Sequence, residues 1–87
     1  MYVIAVYDVG EKRVAKMLKL CRRYLNWIQN SVFEGELSEL QLRKFEQEVR
    51  ELLVLKEDSV IIFKSREEHW LEKKIIGIEK NKIDIFI

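Results

Sequence analysis

Six successive residues, Tyr2-Val3-Ile4-Ala5-Val6-Tyr7, carry no polar face at all. A strand of this kind, β-branched and aromatic throughout, belongs in the middle of a sheet, covered on at least one side. That is a severe demand on a chain of 87 residues. A single domain of this size buries only roughly 60–65% of its unfolded surface, so its stability margin is thin unless it oligomerises.

The remaining segments define what covers the strand. Asp8 interrupts the apolar run and Gly10 suits a tight turn. Residues 11–24 have a helical period, with Val14, Met17, Leu18, Cys21 and Leu25 forming one stripe. Residues 26–37 have no purely apolar face: Ile28, Asn30, Val32 and Glu34 alternate with Trp27, Gln29, Ser31 and Phe33. One bent strand or two short ones fit this stretch, with Gly35 marking a bend or bulge. Ser38-Glu39-Leu40-Gln41 has the spacing of a capping box. The helix it opens runs to Leu53 with Leu42, Phe45, Val49, Leu52 and Leu53 toward the core.

After a turn at Asp58-Ser59, Val60-Ile61-Ile62-Phe63 reads as a further apolar strand, followed by a charged loop over 65–70. Strands are also expected at Lys74 to Ile78 and Ile83 to Ile87, with a turn over 79–82. The order implies an α+β fold, a ferredoxin-like βαββαβ sandwich with an extra C-terminal strand, in one domain over 1–87. Two helices cover one face of such a sheet. The apolar character of the other face predicts a homodimer, with the terminal segment 81–87 pairing with the partner sheet.

Net charge is only +1, yet it is unevenly spread. Lys12, Arg13, Lys16, Lys19, Arg22 and Arg23 against Glu11 give residues 11–24 a charge of +5, and the rest of the chain −4. A cationic helix face of this kind is either a solvated surface or a site for polyanions such as DNA and RNA. Trp27, Phe33 and Tyr24 could stack on bases, or simply pack.

Several chemistries are disfavoured. One histidine, His69, and one cysteine, Cys21, do not make a zinc site. Ser31 has no base near it in sequence, and Gly10, Gly35 and Gly77 are isolated rather than grouped in a phosphate-binding loop. No apolar run spans a bilayer, and a lone cysteine suits a cytoplasmic protein with no membrane partner. Asp8, at a strand end, suits a turn-capping role or a hard-cation site. Magnesium takes one or two carboxylates together with water and phosphate oxygens, and two copies of Asp8 across a twofold axis would make one such site.

Four segments together resemble the CRISPR-associated adaptation proteins of the Cas2 family. They are Tyr2 through Val9, the helix end Cys21-Arg22-Arg23-Tyr24-Leu25, the run Gln29-Asn30-Ser31-Val32-Phe33-Glu34-Gly35, and Asp58-Ser59-Val60-Ile61-Ile62-Phe63. The resemblance implies a ferredoxin-like homodimer holding one Mg²⁺ between its two Asp8 copies, with Tyr7 alongside. It implies catalytic roles for Arg13, Ser31 and Phe33, and metal-dependent endonuclease action on single-stranded RNA or duplex DNA. Trp27 stands where some relatives have arginine. The resemblance further implies a part in spacer acquisition, bridging the integrase subunits of the adaptation complex. A non-catalytic duplex-binding scaffold is the alternative expectation, and a metabolite-sensing dimer without nucleic acid is a third.

Overall fold

The computed structural model of the chain describes residues 1–66 and 72–81. Its elements run β1 (Tyr2–Asp8), α1 (Glu11–Tyr24), β2 (Asn26–Gln29), β3 (Val32–Glu36), α2 (Glu39–Leu52) and β4 (Ser59–Ser65). The four strands form one antiparallel sheet ordered β2-β3-β1-β4, which is the ferredoxin-like arrangement. The all-apolar strand is therefore interior, as its composition demands, with β3 on one side and β4 on the other.

Alternation along β1 sorts the layers. Val3, Ala5 and Tyr7 point toward the helices and are buried. They pack with Phe33 of β3, Met17, Leu20 and Cys21 of α1, and Phe45 and Val49 of α2 into one core. On the opposite face lie Ile4 and Val6, only half-buried, beside Val32 of β3 and Ile61 and Phe63 of β4. Ile61 and Phe63 remain 51% and 56% exposed.

The stripe on α1 is rotated from the one expected. Leu20 is buried, whereas Val14 is 41% exposed. The cause is α2: Tyr24 packs on Phe45 at 5.4 Å between ring centroids, and the seam between the helices draws Leu20 inward. On α2 the expected apolar positions hold, and both halves of the Ser38–Gln41 capping box form.

Residues 26–37 resolve into a hairpin rather than a bend at Gly35. The reversal occurs at Asn30-Ser31, where Asn30 takes φ of 45°, a left-handed value that asparagine tolerates. The Trp27 indole N–H donates to the Asn30 carbonyl across this turn at 2.9 Å. Gly35 instead pairs with Val3 in mid-strand, where a Cβ would lie 3.1 Å from the Leu25 side chain. The irregularity in this region is a register shift between Trp27 and Gln29.

The strand expected at Lys74 to Ile78 does not form. Gly77 takes φ of 100°, which breaks the extended run, and the segment instead lies over the open sheet face. There Lys73 pairs with Glu34, and the Asn81 side chain donates to the Trp27 carbonyl at 2.5 Å. His69, most of the expected 65–70 loop and the terminal strand at 83–87 lie outside the described residues.

Candidate functional site

One end of the sheet gathers most of the expected site. Asp8 closes β1, its partner across the ladder is Ser59 at the start of β4, and the β2–β3 turn lies beside them, with the Tyr7 amide donating to the Ser31 carbonyl at 3.2 Å. The N-terminus of α1, with Arg13, rises from the same end. Asp8 falls on the face turned away from the helices, in line with Ile4 and Val6. Its side chain is exposed and has no hydrogen bond or ion pair among the described residues.

Tyr7, next in sequence, faces the other way. It is 7% exposed, stacks on Phe33 at 6.2 Å, and its hydroxyl is pushed above its ordinary pKa by burial, with a smaller contribution from the Cys21 thiol. Phe33 is wholly buried. The backbone thus separates Asp8 from the two aromatic residues expected to act with it: the carboxylate meets solvent and the rings build the core. Burial also pushes the Cys21 thiol up to about 12, which leaves it protonated and inert.

Arg13 is held rather than free. Its Nε and Nη2 donate to the two oxygens of Asp58 at 2.5 and 2.9 Å, and Nη2 also donates to Glu57 at 2.9 Å. Only the Nη1 edge of the guanidinium is left for another ligand. Asp58 also accepts from the backbone amides of Gly10 and Val54. The Arg13 hydrogen bonds first, then these amides, hold its carboxyl well below the usual carboxylate range. Asp58 is a site residue that the sequence did not single out. The only available signal was its position one residue before the strand that pairs with Asp8.

The other expected cations divide. Arg23 is ion-paired with Glu48 at 2.6 Å and lies over the Tyr24 ring at 5.7 Å, and the Tyr24 hydroxyl also donates to Glu48. Lys12, Lys16, Lys19 and Arg22 are exposed, with no carboxylate partner among the described residues. Lys16 and Lys19 line a shallow groove with Glu48 and Glu51 of α2, which tempers the positive field there. Of the aromatic residues expected to stack on bases, Tyr24 and Phe33 are committed to packing and Trp27 is half-buried over its own turn.

Asp8 fits a hard divalent cation as an oxygen ligand that is exposed, without a side-chain partner among the described residues, and carried on a paired strand end. Among the described residues, no three of histidine, cysteine, aspartate and glutamate gather to hold a metal. One copy thus offers a single carboxylate, and further ligands would come from water, phosphate or a second copy. No helix among the described residues is long and apolar enough to cross a membrane.

Comparison with known proteins identifies the family and the fold. Residues 1–73 match the family described as CRISPR associated protein Cas2. The chain is 46% identical to a protein of Fusobacterium nucleatum named CRISPR-associated endoribonuclease Cas2, covering all of this chain and 87% of that one. A protein of the same name from Thermotoga maritima is 50% identical over 94% of each chain. Among solved structures, one described as a crystal structure of cas2 superimposes with a TM-score of 0.85 at 42% identity, covering 92% of this chain and 90% of the other.

Proposed function

The chain belongs to the CRISPR-associated Cas2 family, and we propose that it works in spacer acquisition as a homodimer with metal-dependent endonuclease activity, its two Asp8 carboxylates sharing one Mg²⁺. The single observation that carries this reading is the placement of Asp8: exposed, without a side-chain partner among the described residues, paired through its backbone with Ser59, and set on the apolar sheet face that a second copy would cover. RNA and duplex DNA both present the phosphodiester such a site would take.

Bound there, the ion would lower the pKa of a coordinated water and offset negative charge on the attacked phosphate. The protein's own contributions are positional. β1 is hydrogen-bonded on both sides, so Asp8 sits on a strand end with little freedom. The free edge of Arg13 and the exposed Lys12 stand at the same end of α1 and suit a phosphate oxygen. Tyr7 and Phe33 act from beneath, as the packed floor on which the strand end rests.

The decisive experiment is cleavage of single-stranded RNA and duplex DNA with Mg²⁺ or chelator, for wild type and Asp8→Ala. Loss of cleavage in the variant, with duplex binding and thermal stability retained, supports the nuclease. Cleavage that survives Asp8→Ala or chelation rejects it. A second reading, a duplex-binding scaffold that bridges integrase subunits without catalysis, is favoured by the four exposed cations of α1 that have no carboxylate partner among the described residues. It requires that reversing Lys16 and Lys19 to glutamate weaken duplex binding and flatten its dependence on salt.

A further inference from the structure

The Asp58 side chain is completely shielded from solvent, yet it is charged and lies one residue from the strand position opposite Asp8. Its hydrogen bonds explain how the charge is tolerated. Oδ1 accepts from the Gly10 amide at 2.8 Å and from Arg13 Nη2 at 2.9 Å, and Oδ2 accepts from Arg13 Nε at 2.5 Å and from the Val54 amide at 2.9 Å. These four donors fill the acceptor capacity of a carboxylate, so Asp58 has no lone pair to offer a metal. They come from the two helix–strand connections at this end of the sheet. Gly10 and Arg13 belong to the crossing from β1 into α1, and Val54 belongs to the crossing from α2 into β4.

We propose that Asp58 is a positioning residue for the Asp8 site, tying the β1–α1 and α2–β4 turns into one unit that fixes the strand end carrying Asp8 and limits Arg13 to one free edge. This rests on the reading of Asp8 as the metal-holding carboxylate and adds the group that holds it still. Gly10 is part of the same device. A Cβ there would fall 2.5 Å from Arg13 Nη2, so any side chain at this position would push the guanidinium from its present seat against the turn. Without that anchor the Asp8–Ser59 pair is the last rung of a ladder and is free to fray.

The test uses the full chain with Asp58→Asn, which keeps the shape but turns an N–H₂ toward donors that need an acceptor. Gly10→Ala is the second variant, since it displaces Arg13 without removing any polar group. Three readouts are compared at a temperature where each variant is folded: amide hydrogen exchange at Asp8 to Gly10, broadening of the Asp8 and Val9 amide resonances by Mn²⁺, and the Mg²⁺ dependence of cleavage. Both variants should speed exchange at this end, weaken the Mn²⁺ effect, and lower kcat on the order of 10–100-fold with KM for nucleic acid little changed. Faster exchange with Mn²⁺ broadening and kcat as in wild type overturns the proposal and leaves Asp58 a purely structural tie. Activity that falls only in step with the unfolded fraction overturns it equally. Wild-type protein that shows no Mn²⁺ effect at Asp8 instead defeats the metal reading itself, and the positioning role with it.

Discussion

Successive residues on one strand are given opposite tasks. Asp8 faces solvent, while Tyr7 and its neighbour Phe33 sit beneath it in the core. Removing Phe33 should therefore act first on folding. Phe33→Ala should cost about 3–5 kcal/mol in denaturant unfolding, and any cleavage lost should return when the variant is stabilised or cooled. A ring that stacked on substrate would show the reverse, an intact fold with KM raised. Asp58 sets the acid behaviour. Its carboxyl titrates lower in the folded chain than the value of about 3.9 expected when unfolded, so its stabilising contribution is complete above that value and is lost as pH falls through the folded one. The Tm of wild type should drop on acidification below about pH 4, and Asp58→Asn should flatten that limb of the curve. These assignments were only half visible beforehand. Residue type and position offered Asp8 as a turn cap or a cation ligand, but which face each side chain takes depends on register, and the ion pair of Arg13 with Asp58 spans 45 residues of sequence.

Local chemistry decides the elements, and it was legible where one signal dominates. The capping box over Ser38 to Gln41 set the start of α2 without ambiguity, because its two reciprocal hydrogen bonds satisfy amides that the first turn leaves unpaired. Ser38→Ala should cost about 1 kcal/mol, or roughly 4–8 °C in Tm by scanning calorimetry, with no change in nucleic-acid binding. The hairpin was harder to read. Its reversal depends on Asn30 adopting a left-handed backbone, and glycine at position 35 drew attention to a site where the real constraint is closeness to Leu25. The stripe on α1 could be read for period but not for phase, since the turn of the helix about its axis is set by α2, a partner remote in sequence. Lys74 to Ile78 has strand composition, yet Gly77 and the ion pair of Lys73 with Glu34 lay it over the sheet instead.

At the scale of the molecule, the sheet has one face sealed by helices and one that the 72–81 segment overlies in part, leaving Ile61 and Phe63 of β4 half-exposed. β4 adds an apolar strand at an edge, where its outer backbone groups have no ladder partner among the described residues. Both features favour association of two copies, and the small size of the domain makes the added burial valuable. Wild type should sediment as a dimer with a Tm that rises with protein concentration. If the proposed shared site is right, replacing Ile61 and Phe63 by lysine should give a folded monomer without metal-dependent cleavage, the second carboxylate being kept from the first. A sedimentation profile unchanged by that double replacement would move the interface elsewhere.

The position of β1 in the sheet has a consequence for biosynthesis. Of the four strands, β1 precedes the others in sequence and is one of the two interior ones, and it waits for β4, some fifty residues later, before Asp8 gains its neighbour Ser59. A nascent chain can dock α1 and the β2–β3 hairpin early, while its acidic tip stays loose until translation has passed β4. Premature termination before that point would release a fragment with an assembled cationic helix and no ordered carboxylate.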